Sequence, residues 1–299
     1  MRKMRREDLY QKADEMRKNT PAIFRFAGMD ELDAVTVVDE VRLELDHFQD
    51  IHFYIVKPKA AGNRIPFVVN LHGGGMVRNH GERDILFCRR LAFQTGCAAI
   101  SIDYHLAPQY PYPYALDEIE AIIRYLFEKQ EILGLDSRYI LCGQSSGGNL
   151  ALVSALRLKD GIYRPQGQIL SYSWLDLHTS PEDKADSFPD GRKTLYHFYT
   201  DCYAMGANTG DWKVSPLFAS ESELKKLPAT VIVEGGLDEL RTENMQFFYR
   251  LCEAGVQAVM FYYPNSVHGF LVNQMADWKN AQRDVFQEII KMFELTEDK

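Results

Sequence analysis

The stretch LCGQSSGGNL, Leu141–Leu150, decides how this chain is read. Two serines stand side by side with glycines before and after them. A strand-like run, YILCG, precedes the pair. A helix-like run, SGGNLALVSALRLKD, follows it and stops near Gly161. A phosphate-binding loop also sits between a strand and a helix, but it needs GxxxxGK[ST]. No lysine follows these glycines, and GxGxxG is absent too. The pattern present is G-x-S-x-G, over Gly143–Gly147. A nucleophile on a sharp strand-to-helix turn has a strained backbone, so the residues two before and two after it must be small. Gly143 and Gly147 meet that condition for Ser145. For Ser146 the flanks are Gln144 and Gly148, and Gln144 is too large. Ser145 is therefore the candidate nucleophile. The Ser146 side chain is expected to be structural, with its backbone N–H facing the reacting centre.

A serine alcohol is a weak nucleophile at neutral pH. It needs a base, and the base needs an orienting carboxylate. On a strand–turn–helix platform they follow in the order serine, acid, histidine. VIVEGGLDEL carries Asp238 just past a strand, and FYYPNSVHGF carries His268 just past the last strand. Strand ends deliver side chains to one edge of a parallel sheet, the edge where open α/β sheets bind ligands. Glu234, Glu239 and Glu243 lie close enough in sequence to compete with Asp238. The other histidines compete less well. His47, His52 and His80 precede the serine, His72 and His105 belong to other motifs, and His178 and His197 lie in an insertion. Upstream, NLHGGGMV follows another strand. Its glycines can turn backbone N–H groups to one point and, with the N–H of Ser146, bind an oxyanion. Gly73, Gly74 and Ser146 are the expected donors, with Gly75 as the alternative to Gly73.

Strand-like and helix-like patterns alternate from about residue 38 onward. VVDEVRLEL and IHFYIVKP read as strands joined by a turn around 46–50. IPFVVNL, CAAISIDYHLAP, YILCG, QILSYSWL, ATVIVEGG and VQAVMFYYP read as further strands. Helical spacing marks 114–130, with Leu116, Ile119, Ile122, Ile123 and Leu126 on one face. Helices are also expected over 240–255 and 278–293. Such alternation predicts an α/β fold with a mostly parallel sheet. Two segments break it: the first forty residues or so, and about 177–218, polar and then aromatic. An insertion of that length with such aromatic content reads as a folded cap.

Composition agrees: 299 residues, 46% hydrophobic and 25% charged, are ordinary for a globular chain. A net charge of -8 supplies no global field for polyanions, so nucleic acid and an anionic membrane surface are not expected partners. The N-terminal MRKMRREDLYQKADEMRK continues with charge where a signal peptide turns apolar, which predicts a basic helix and a cytoplasmic protein. The five cysteines include no CxxC and read as reduced, buried small hydrophobes. Neither HExxH nor paired-cysteine zinc spacing occurs, so no metal and no cofactor are expected.

With these residues in hand, the chain resembles the hormone-sensitive-lipase-like family of α/β-hydrolases, the HGGG carboxylesterases. The ordered motifs are HGGG at 72–75, DYHLAPQYPYP at 103–113, GQSSGGNLAL at 143–152, VSPLFA at 214–219, GGLDEL at 235–240 and HGF at 268–270. The family commonly has DYRLAPE and GDSAGG, so His105, Gln109, Gln144 and Ser146 depart from it. The resemblance implies one α/β-hydrolase domain over 1–299, with an eight-stranded sheet and a small helical cap from about 1–37 and 177–218. It also implies a serine esterase acting on a small-molecule ester with a short acyl chain, acetyl to butyryl. Phe24, Phe26, Tyr196, Phe198, Tyr199 and Tyr203 are aromatic candidates either to wall its pocket or to pack cap on core. An amidase or peptidase would use the same triad, and a non-catalytic ligand-binding homologue would share the scaffold. Members of the family often pair through edge strands, which makes a homodimer an expectation by analogy.

Overall fold

The computed structural model describes residues 4–18, 29–45 and 47–294. Its strands are β1 (Thr36–Leu45), β2 (Phe48–Pro58), β3 (Ile65–Leu71), β4 (Ala98–Ile102), β5 (Leu135–Gln144), β6 (Gly167–Ser171), β7 (Ala229–Gly235) and β8 (Ala258–Tyr263). They form one eight-stranded sheet in the order β1-β2-β4-β3-β5-β6-β7-β8. The β1/β2 and β2/β4 pairs are antiparallel, and every other pair is parallel. The helices are α1 (Arg6–Lys18), α2 (Met29–Val35), α3 (Glu82–Thr95), α4 (Tyr114–Glu128), α5 (Gln130–Leu133), α6 (Ser146–Leu158), α7 (Arg192–Ala204), α8 (Glu221–Leu224), α9 (Arg241–Glu253), α10 (Phe270–Asn273) and α11 (Trp278–Glu294).

A parallel sheet needs cover on both faces, which is why its central strands β3, β4 and β6 are buried almost throughout. In β3, Phe67, Val69 and Leu71 join the core on the side of α4, α6 and α9, while Val68 points to the side of α3 and α11. Each fully buried large apolar side chain contributes roughly 1.5–3 kcal/mol. The chain leaves β3 for β4 on one side and returns to β5 on the other. That reversal opens a crevice at the carboxyl ends of β3 and β5, where ligands of such sheets bind.

Several boundaries differ from expectation. Leu45 pairs with Phe48, so the reversal after β1 is tighter than a turn over 46–50; Asp46 lies outside the described residues. The strand expected through Trp174 ends at Ser171, because Tyr172 turns the chain with φ 37°. The helix expected to Gln130 divides at Lys129 into α4 and α5. No expected element covers α3. Its Phe87, Cys88, Leu91 and Ala92 are buried at helical spacing, and Asp84 accepts from the Gly81 N–H at its start. Four cysteines are buried, but Cys252 is exposed, since α9 turns that position to solvent.

Of the segments expected to form a cap, α1 lies against α7. Arg17 ties α1 down by donating to Val77 O (2.8 Å), Ala107 O (2.7 Å) and Gln109 Oε1 (2.9 Å). Helix α2 instead packs on α3 and β1, and Thr36 and Val37 belong to β1. Phe24 and Phe26 lie outside the described residues. Among the described residues, no helix is long and apolar enough to cross a membrane.

Candidate active site

Ser145 stands between β5 and α6 with φ 55° and ψ -118°, a backbone that side chains rarely adopt. The neighbouring glycines are required by space. A Cβ on Gly143 would lie 2.1 Å from Gly147 O, and one on Gly147 would lie 2.0 Å from Leu71 O. The turn is pinned by its own backbone: Ser145 N–H donates to Ser171 O (2.9 Å), and Ser145 O accepts from Gly148 (3.0 Å) and Trp174 (3.0 Å).

Sequence-distant loops meet this serine. The loop after β8 brings His268 Nε2 to 2.9 Å from Ser145 Oγ. The loop after β7 brings Asp238 Oδ2 and Oδ1 to 2.8 and 3.0 Å from His268 Nδ1. In that arrangement Nδ1–H donates to the carboxylate, and Nε2 is left to accept from the serine hydroxyl. Among the described residues, Asp238 is the carboxylate bonded to His268. The competing acids are occupied elsewhere. Glu234 is buried and accepts from Gly235 N–H, Glu239 pairs with Arg192, and Glu243 pairs with Lys184. Burial disfavours the charged imidazole, but the field and hydrogen bond of Asp238, with the field of Glu239, outweigh it. The His268 pKa is raised from its ordinary 6.5. Asp238, Glu239 and His268 also form the one three-ligand cluster of metal-binding type among the described residues. The Arg192 guanidinium already supplies a cation there, and Asp238 holds the histidine nitrogen that faces it.

The HGGG tract crosses beside the elbow, with Gly73 against Gln144 O and Ser145 Cβ. Among the described residues, no acceptor is bound to the N–H of Gly73, Gly74 or Ser146. Ser146 opens α6, and a helix leaves its first N–H groups without internal partners. The Gly75 N–H, by contrast, donates to Ser146 Oγ (2.8 Å), as does that of Met76 (3.3 Å). The same hydroxyl meets Tyr104, whose O–H donates to His72 O (2.8 Å). The Ser146 side chain thus anchors the glycine tract from below. The other departures from the family pattern are also paired. His105 meets buried Glu118 (2.8 Å), and Gln144 donates to Asn70 Oδ1 (2.9 Å).

These groups open into a cavity of ≈ 170 Å³. Tyr196 and Tyr199 of α7 wall it with Trp174, which meets Tyr196 edge-on at 5.0 Å. Phe198 and Tyr203 face elsewhere, Phe198 under Lys12 and Tyr203 against Tyr112. Arg78, Arg83, Arg192, Tyr172, Trp174 and Asn273 also line the cavity and had no signal in the motifs. Tyr172 and Trp174 follow β6 at the carboxyl edge, but the sequence pattern places both inside the strand.

A nucleophile elbow, a histidine–aspartate pair and free backbone donors on this sheet define a serine hydrolase of the α/β class. A family model for the alpha/beta hydrolase fold matches residues 68–272, and the chain belongs to that family, in its hormone-sensitive-lipase-like branch. Among curated relatives, carboxylesterase NlhH of Mycobacterium tuberculosis is 28% identical, over 78% of this chain and 75% of that protein. An arylesterase of Saccharolobus solfataricus is 28% identical over 80% and 78%. An ethyl acetate hydrolase of Pseudomonas putida is 30% identical over 67% and 64%. Among solved structures, carboxyl esterase 2 of Tuber melanosporum superposes with a TM-score of 0.80 at 22% identity, covering 95% of this chain and 97% of that one. That likeness speaks for the fold.

Proposed function

We propose that the protein is a serine carboxylic ester hydrolase that cleaves short acyl esters, acetyl to butyryl, through an acyl-enzyme. Deacetylation of small molecules or sugars falls within that range. Ser145 Oγ forms a bond to the ester carbonyl carbon as its proton passes to His268 Nε2. The carbonyl electron pair moves onto oxygen, which Gly73, Gly74 and Ser146 N–H receive. Asp238 holds the imidazole tautomer and stabilises its charged form. The carbon–oxygen bond to the alcohol then breaks, and His268 returns the proton to the leaving oxygen. Water repeats the sequence to release the acid.

The single observation that carries this function is the Ser145 Oγ–His268 Nε2 distance of 2.9 Å, with Asp238 behind the imidazole. Short acyl chains are supported by a cavity of ≈ 170 Å³, small beside the roughly 300–1,000 Å³ of drug-sized sites. The carboxylesterase and ethyl acetate hydrolase relatives support ester chemistry. A series of 4-nitrophenyl esters from acetate to decanoate, beside matched anilides, tests it. Turnover is expected to peak by butyrate and to exceed that of the anilides. A fluorophosphonate should label the parent and not Ser145→Ala. Unlabelled parent protein, or faster anilide cleavage, would overturn the function.

A further inference from the structure

Three guanidiniums, Arg78, Arg83 and Arg192, line the cavity above Ser145, and among the described residues no carboxylate lines it. This reverses the overall balance of a chain with net charge -8, so composition does not account for it. The three come from separate segments: the turn after the glycine tract, the first turn of α3, and the start of α7. Their fields converge. Burial pushes the Tyr199 hydroxyl pKa up, and Arg78, Arg192 and Arg83 each pull it back.

The three are not equally neutralised. Arg192 pairs with Glu239 behind the wall. Arg83 has Asp84 at 3.7 Å from Nε and donates to Asn273 Oδ1 at 3.2 Å. Arg78 donates from Nε to the Tyr199 hydroxyl (2.7 Å) and, among the described residues, pairs with no carboxylate. A guanidinium presents a fork of N–H donors that fits a carboxylate edge, and among the described residues only the Nε of Arg78 is spent. A partly desolvated cation without an anion is costly, and a purely apolar ester does nothing to relieve it.

We propose, as an extension of the ester-hydrolase function above and resting on it, that this cavity selects esters bearing a carboxylate near the scissile carbonyl, held by Arg78 and Arg83. The ester is cleaved by the same steps, and the carboxylate only binds. Charged esters therefore gain a charge-assisted contact that neutral ones lack.

Two matched pairs test this. Monoethyl succinate against ethyl succinamate places the charge on the acyl side. 4-Acetoxybenzoate against 4-acetoxybenzamide places it on the alcohol side. In at least one pair the charged member should be preferred in kcat/KM on the order of tenfold at low salt, and the preference should shrink as ionic strength rises. Arg78→Gln and Arg83→Gln should each lower that ratio towards unity. The ratio is taken within each variant, so a general loss of turnover cancels. If a variant does not fold, the parent's ratio and its salt response still decide. Variants that keep the parental ratio would overturn the assignment to these arginines. A parent that hydrolyses both members of both pairs without favouring the charged one overturns the proposal and leaves the esterase function standing. A folded parent that hydrolyses none of the four and is not labelled by fluorophosphonate overturns both.

Discussion

The floor of the cavity and its walls are built in opposite ways. The floor comes from short contiguous motifs at the carboxyl ends of β3, β5, β7 and β8, which carry the glycine tract, Ser145, Asp238 and His268. The walls come from α3, α7, α10 and two turns, which bring Arg83, Tyr196, Tyr199, Asn273, Arg78 and Trp174 together from across the chain. Floor groups are aimed by backbone geometry that the sheet holds rigid. Wall groups are aimed by packing between helices. On the proposed function the difference separates two properties: the floor would govern whether an acyl group is transferred, and the walls which ester is accepted.

The largest expected effect breaks the floor. Ser145→Ala should lower turnover of 4-nitrophenyl acetate by about 10⁴-fold or more, in protein shown to be folded by circular dichroism. Full turnover in that variant would remove the elbow from the chemistry. Asp238→Asn should cost about 10³–10⁴-fold, because the imidazole loses its tautomer. The pH profile adds a sign. The proposed mechanism needs neutral His268, whose pKa is raised from its ordinary 6.5 despite burial, chiefly by Asp238. Thus kcat/KM of the parent should fall on acidification with a midpoint above 6.5. In Asp238→Asn the residual activity should have a lower midpoint. An unmoved midpoint would take His268 out of Asp238's control.

A smaller effect lies where floor and wall are joined. Ser146→Ala deprives the Gly75 and Met76 N–H groups of their acceptor. It should cost about 1–3 kcal/mol in urea unfolding, and turnover should fall on the order of tenfold as Gly73 and Gly74 lose position. Unchanged stability and turnover would make the hydroxyl a bystander. The smallest effect belongs to the wall alone. Tyr199→Phe removes the hydroxyl that holds Arg78 and should change KM by about threefold, with kcat changing less. A kcat loss as deep as that of Asp238→Asn would erase the distinction between floor and wall.

Much of the floor is legible in the sequence. G-x-S-x-G obeys a local steric rule, and the two glycine positions would bring a Cβ within 2.1 Å and 2.0 Å of backbone oxygen. The strands are legible because a sheet covered on both faces needs apolar, β-branched runs. Helix α3 is not among the elements expected from the sequence, although Phe87, Cys88, Leu91 and Ala92 recur at helical spacing; they pack on β2, β4 and α11. The acid is only half legible: Glu234, Asp238, Glu239 and Glu243 fall within ten positions of each other. Their sorting depends on Arg192, Lys184 and Gly235 N–H, which claim the other three.

By itself, the sequence determined the order of the strands and of most helices, though not α3, and placed a serine on the turn between flanking glycines that can hold it. Those outcomes follow from sterics and apolar patterning over a few neighbouring residues. Only the tertiary structure decided which carboxylate meets His268, that Ser146 Oγ takes the Gly75 N–H, and that three guanidiniums share one cavity. These depend on the direction and separation of charged and polar groups from distant segments. Electrostatic and hydrogen-bond energies follow such distances through space, and positions along the chain do not supply them.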